Sequence, residues 1–131
     1  MKKIFYLLTL CLAFCFTGCK ESNEVSSSTI IGDWVSDRIT EYYLENGQYK
    51  SEVEYEYTYL SIYANNSCTW SSGASSDYGN WVLNGNTLIL SFSSGGYDDY
   101  IKCTVQKCNS KELVLRLDFD NGYADYNFKK R

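Results

Sequence analysis

Glu52, Glu54 and Glu56 alternate with Val53 and Tyr55 in the stretch Ser51-Glu52-Val53-Glu54-Tyr55-Glu56-Tyr57. In an extended chain the three carboxylates fall on one side, about 7 Å between successive members. That spacing lies within the ~6.5–9.5 Å that separates acid from base in inverting glycosidases. Such chemistry also needs one carboxyl in a different protonation environment from its partner, and nothing in the stretch supplies the asymmetry. The glutamates therefore read as a solvated outer face that discourages edge-to-edge association. A second acidic run, Asp118-Phe119-Asp120-Asn121-Gly122-Tyr123-Ala124-Asp125, could attract Ca2+. It misses the calcium-loop spacing by one residue and lacks the closing glutamate, so Asp120-Asn121-Gly122 reads as a hairpin turn. The chain has no histidine, which removes the usual general base and any Ser-His-Asp arrangement. No enzyme activity, metal or cofactor is expected.

Cysteine chemistry is equally restrained. Cys68, Cys103 and Cys108 remain once the N-terminal segment discussed below is set aside. With no C-x-x-C pair and no histidine, a zinc site is not expected. Cys103 and Cys108 lie on one strand-like run, five residues apart, which predicts opposite faces and ~17 Å of separation. A bridge from Cys68 to either one stays open, and Cys103 reads as a small buried hydrophobe. The aromatic content is the stronger functional hint. Trp34, Trp70, Trp81, Tyr57, Tyr59, Tyr63, Tyr126 and Phe128 fall on or near strand-like runs. Such side chains suit stacking on a sugar or holding an apolar ligand, although a small barrel interior can be filled by side chains alone.

The elements that would position these residues are strands. Leu113, Leu115, Leu117 and Phe119 alternate with Val114, Arg116 and Asp118, and Leu88, Leu90 and Phe92 repeat the pattern. Ile101, Cys103 and Val105 do so again, opposite Lys102, Thr104 and Gln106. Period-two alternation with one apolar face means half-buried antiparallel strands. Asn46-Gly47, Asn65-Asn66, Asn84-Gly85-Asn86, Ser94-Gly95-Gly96 and Asn109-Ser110 punctuate the runs as hairpin turns. Eight strands are predicted, near 33–44, 48–63, 67–73, 77–83, 87–93, 98–107, 112–119 and 123–130. In the second, Val53, Tyr55, Tyr57 and Tyr59 are odd while Leu60 and Ile62 are even. A β-bulge near Thr58–Leu60 that switches the inward face is the expected device. Consecutive hairpins without a long crossover give an up-and-down meander, and closing it removes both exposed edges. The fold class is all-β, an eight-stranded antiparallel barrel.

The N-terminus sets the compartment. Lys2 and Lys3 precede the uncharged apolar run Ile4–Phe16, which is too short for a membrane span, and Thr17-Gly18-Cys19 ends it. This layout resembles a bacterial lipobox, which implies a lipoprotein signal peptide over 1–18 and acylation of Cys19 by palmitate-type chains. Residues 19–29 then form the lipidated cysteine and a flexible tether, serine-rich from Val25 to Thr29, and residues 30–131 the barrel. Loss of Lys2 and Lys3 leaves ten basic residues against 16 acidic, a net charge of −6. An acidic chain without basic clusters is a poor partner for nucleic acid. Lys20 stands where an aspartate would signal inner-membrane retention, and Lys20-Glu21-Ser22-Asn23-Glu24 resembles the export tags of Bacteroidetes-type surface lipoproteins. The expected location is the outer membrane, on the periplasmic or cell-surface side.

Three further stretches carry a family resemblance. Ile31-Gly32-Asp33-Trp34 looks like the G-x-W opening of lipocalins. Gly79-Asn80-Trp81-Val82-Leu83-Asn84-Gly85-Asn86-Thr87-Leu88-Ile89-Leu90 and Lys111-Glu112-Leu113-Val114-Leu115 resemble the core and late strands of bacterial lipocalin-like lipoprotein domains. The resemblance covers Ile30 to Lys130 and implies a lipocalin-like barrel with Trp34 as the plug of one end, beneath Arg116 or Arg131 by cation–π contact. The chain lacks the helix that follows longer lipocalin barrels, which argues against a large cavity. Ligand binding is then expected at the far rim, where the connections 44–49, 72–78 and 94–97 meet. Tyr49, Tyr78 and Tyr97 would ring that mouth, and the Asn121–Gly122 turn would join it only if strand parity shifts. Two functions follow: a membrane-anchored barrel that binds a small apolar or glycan-like ligand, or a filled barrel that docks a larger envelope complex.

Overall fold

Alternation in the sequence becomes one continuous antiparallel sheet in the computed structural model, which describes residues 25–94 and 97–131. After a single helical turn, α1 (Ser27–Ile30), come nine strands. They are β1 (Gly32–Glu45), β2 (Gln48–Glu54), β3 (Thr58–Ile62), β4 (Ser67–Ser72), β5 (Ser75–Asn84), β6 (Thr87–Ser94), β7 (Tyr97–Cys108), β8 (Glu112–Phe119) and β9 (Gly122–Lys130). β2 and β3 lie end to end along one edge of β1, β3 on Gly32–Ser36 and β2 on Ile39–Glu45. They form one strand position, interrupted at Tyr55-Glu56-Tyr57. β9 pairs with the other edge of β1 and closes the sheet into an eight-position barrel, while β2 pairs with β1 alone and keeps an unpaired outer edge among the described residues. The turn joining β1 to β2 uses Asn46 and Gly47, both at positive φ (52° and 76°), the conformation that matches the twist of a two-residue hairpin.

Bulges decide which side chains enter the barrel, and they are not where the sequence suggests. In β1, Ser36 pairs with Phe128 of β9 and Ile39 with Tyr126, so Asp37 and Arg38 together oppose Asn127 alone. The inward positions of β1 therefore change from even (Trp34, Ser36) to odd (Ile39, Glu41). The expected switch at Thr58–Leu60 is absent. Thr58, Leu60 and Ile62 are buried, and the same even parity continues back to Glu54 and Glu52, which pair with Ile39 and Glu41. The odd residues Val53, Tyr55, Tyr57 and Tyr59 face outward. A second bulge at Gln106 lies between the pairs Val105–Leu115 and Lys107–Val114, and returns Cys108 to the inward side beside Leu113. Cys103 and Cys108 thus share a face, contrary to the strict alternation expected of them.

Below the middle of the barrel the interior is filled. Trp34, Leu60, Ile62, Leu88, Leu90, Leu113, Leu115 and Phe128 are essentially inaccessible to solvent, each contributing about 1.5–3 kcal/mol of transfer free energy. Gly79 leaves room for this packing, because a Cβ there would strike the Ser91 carbonyl and sit 2.8 Å from the Phe92 ring. Trp34 closes one end: its Nε1–H donates to the Ile30 carbonyl of α1 at 2.9 Å. The cation over its ring is Lys130, 4.4 Å from the centroid, rather than Arg116 or Arg131. Register explains the substitution, since Lys130 is the β9 partner of Trp34. Arg116 instead lies over Tyr123 and binds Asp125 through Nε and Nη2 at 2.8 and 3.0 Å, while Arg131 lies over Tyr59. The serine-rich run read as a tether ends in α1, with Ile30 fully buried against the barrel.

Cys68, Cys103 and Cys108 are free thiols. Burial pushes Cys68 up to about 11 and Cys103 up to about 12. Burial also raises Cys108, with Lys130 opposing it. A folded state that holds these protons more tightly than the unfolded chain loses stability as pH rises from about 9 toward 12, by ~1.4 kcal/mol per pH unit for each such thiol. Cys103→Ala is expected to flatten that alkaline decline in urea melts taken between pH 8 and 11. An unchanged slope would contradict the burial of Cys103.

Candidate functional site

The strand order gives the barrel two unlike ends. Trp34, α1, the turns at 63–66, 85–86 and 109–111, and the C-terminus gather at the closed end. The other end collects the β1–β2, β4–β5, β6–β7 and β8–β9 connections. The last belongs there without any parity shift, as the Leu44 N–H donating to the Asn121 carbonyl at 2.8 Å shows.

Register builds the inner wall of this open end layer by layer. Ser36, Thr58, Ser72 and Phe128 form one level, and Ile39, Glu54, Leu115 and Tyr126 the next. Glu41, Glu52, Leu117 and Ala124 stand above them. Across the mouth, Asp77 shares the side of Trp70 and Asp99 that of Phe92. The glutamates expected on a solvated outer face thus line the inside. They remain wet, because both faces of β2 are exposed.

The floor is aromatic. Trp70 meets Tyr126 edge-on, with ring centroids 5.4 Å apart and planes at 67°, and meets Phe128 at 6.0 Å. Tyr126 and Phe128 stack at 6.1 Å. The Ser72 hydroxyl donates to Glu56 Oε1 at 2.9 Å, and the Tyr43 hydroxyl to Glu52 Oε1 at 3.0 Å. Burial first, then the Glu41, Glu54 and Glu56 carboxylates, hold the Tyr126 hydroxyl above its ordinary value of 10.0. The carboxylates that add to this rise come from two strands and a strand break. Thr58, 1% exposed, carries a hydroxyl that has no hydrogen-bond partner among the described residues.

Of the three tyrosines expected to ring this rim, Tyr49 and Tyr78 stand outside it. Tyr49 is 90% exposed and on the outward side of β2, opposite Leu44. Tyr78 is 73% exposed and paired with outward Thr69. The Tyr97 side chain and Cys19 lie outside the described residues. Of the aromatics suggested as interior, Trp34, Trp70, Trp81, Tyr126 and Phe128 point inward, whereas Tyr57, Tyr59 and Tyr63 are exposed. The acidic run at 118–125 gives its Asp125 carboxylate to Arg116. Sequence reasoning missed Glu41, Glu54, Glu56 and Thr58 as one group. The available signal was the even parity of Leu60 and Ile62, which, carried back without a switch, places the glutamates inside.

Two cavities lie elsewhere among the described residues. One, of about 310 Å3, is on the outer wall at the β1 bulge, between Arg38, Tyr55 and Lys129. The other, of about 370 Å3, lies at the closed end between α1, Trp81 and Leu83.

A closed eight-position antiparallel barrel, plugged by tryptophan at one end and open at the other, is a lipocalin-like fold. Among solved structures the chain is similar to a lipocalin-like protein from Bacteroides uniformis, at 15% sequence identity and a TM-score of 0.55. The match covers 79% of this chain and 99% of that one. No family model matches the chain, and no curated protein matches it.

Proposed function

We propose that this protein is a lipid-anchored envelope protein whose barrel binds a small molecule at its open end. The observation that carries the reading is the inward-facing Trp70–Tyr126 pair, backed by buried Phe128 and roofed by no apolar side chain of β2. Because the lower interior is filled, the ligand rests in a shallow bowl and not in a deep hydrocarbon channel. A ring compound or the apolar face of a sugar matches a floor of that size and chemistry. The anchor at Cys19 would hold the domain at the outer membrane, by acyl chains that need at least two signals for stable attachment. Protein secreted without acylation would be soluble, so Cys19→Ala is expected to move the chain from the membrane to the soluble fraction.

A second reading has one observation in its favour. Tyr55, Tyr57 and Tyr59 form an exposed outer ribbon with Val53, the last two tyrosines stacked at 6.4 Å, which suits docking of a protein partner. Tryptophan fluorescence separates the two readings. Full-length protein in nonionic detergent, titrated with aromatic amines, alcohols and oligosaccharides, should show saturable changes that disappear in Trp70→Phe. Binding that survives Trp70→Phe but is lost in Tyr57→Ala would transfer the function to the outer ribbon.

A further inference from the structure

The open end is lopsided in charge. Glu41, Glu52, Glu54, Glu56, Asp77 and Asp99 occupy its inward positions. The inward Lys50 is taken by Glu45 at 2.6 Å. Among the described residues, no lysine or arginine pairs with Glu41, Glu54 or Glu56. Glu54 stands at the level of Tyr126, Glu41 one level above it and Glu56 beside Ser72, around the corner where Trp70 and Tyr126 meet with planes at 67°. Aromatic faces and carboxylates share a preference: both attract positive charge, the first by quadrupole and the second by Coulomb interaction.

An acidic rim alone would mean only a hydrated surface. Thr58 makes the difference. Its hydroxyl is buried, faces the interior opposite Ser72, and lies next to the Ser72–Glu56 hydrogen bond without a partner of its own. An unpaired buried hydroxyl costs about 1–3 kcal/mol, a cost relieved by a ligand that brings a donor or acceptor to it. The site thus offers a π corner, three carboxylates and one unused hydroxyl.

We propose that the ligand is a small organic cation, an ammonium group on an apolar or hydroxylated body, with the ammonium held by Glu41, Glu54 and Glu56 over Trp70 and Tyr126 and a polar group reaching Thr58. This rests on the reading of the open end as the binding site and names the class of molecule it takes. Groups of like sign at the rim also discriminate: an anionic analogue meets six carboxylates and is rejected.

The test uses choline and its neutral isostere 3,3-dimethylbutan-1-ol, titrated into full-length protein in nonionic detergent and followed by calorimetry and Trp70 fluorescence. Choline is expected to bind at least about tenfold tighter than the isostere, as loss of both cation–π and carboxylate attraction implies. Glu54→Gln with Glu56→Gln should cut that preference to about threefold, since Glu41 and the aromatic rings remain, and should shift the unfolding midpoint little, because a glutamine can still accept the Ser72 hydrogen bond. Thr58→Val should weaken choline but not tetramethylammonium, which has no hydroxyl. Equal affinity for choline and the isostere in the unaltered protein would overturn the cation assignment while leaving the open end as the site. Absence of any Trp70 response to cations, alcohols and oligosaccharides alike would overturn both.

Discussion

Leu115→Asp is expected to leave the domain without a cooperative unfolding transition at 25 °C. Leu115 is wholly buried and paired on one side with Val105 and on the other with Tyr126, in the middle layer of the barrel. Removing the leucine costs about 2–5 kcal/mol through lost transfer energy and the space left behind. The aspartate adds a charge with no cation near it, and an unpaired buried charge costs several kcal/mol more. Together these approach the 5–15 kcal/mol by which domains are typically stable. Val82→Asp is the control, because Val82 is exposed on the outer side of β5 and should change stability by no more than ~1 kcal/mol. Arg116 would be a poor control despite facing outward, since its two hydrogen bonds to Asp125 and its place over Tyr123 tie β8 to β9. A urea melt of Leu115→Asp that overlays the unaltered protein would show that β8 presents its other face to the core.

The second large effect is at the closed end. Trp34→Ala should cost about 3–5 kcal/mol, the usual range for a fully buried large aromatic. The indole fills the base of the barrel, donates to the Ile30 carbonyl and lies under Lys130. Its removal leaves a void, an unpaired carbonyl on α1 and a lysine without its π face. Trp34→Phe restores most of the volume but not the N–H, so it should recover more than half of the loss. Denaturant midpoints measure both variants. Proteolysis adds a local readout, because α1 held only by Ile30 should be cut near residues 25–31 faster in Trp34→Ala. Equal protease resistance would mean that Trp34 packs without anchoring α1.

Much of this architecture is visible in the residue pattern. Leu113–Leu115 and Leu88–Leu90 face inward as their alternation requires, because a strand's side chains must alternate and one face must leave water. Asn46-Gly47 turns where its tolerance of positive φ allows, a property of two residues and their immediate neighbours. Trp34 at the closed end followed from its place at the start of the first strand. The composition of the open end did not follow. Period two says that a strand has two faces but not which faces in, and one extra residue in a partner strand reverses the answer. Asp37-Arg38 opposite Asn127 and Gln106 beside Val105 are such residues, and nothing local marks them as bulges. They set whether Glu41 and Cys108 point inward. The glutamates of β2 were misplaced for the related reason that four odd aromatic and branched residues looked like a core face. In the closed barrel those tyrosines remain outside, where their ring area stays partly in water. Glu54 turns in because its neighbour across the sheet is Ile39. Local chemistry determined the strands and turns. Pairing between segments far apart in the chain decided which side chains meet at the mouth, since register is a property of two strands at once.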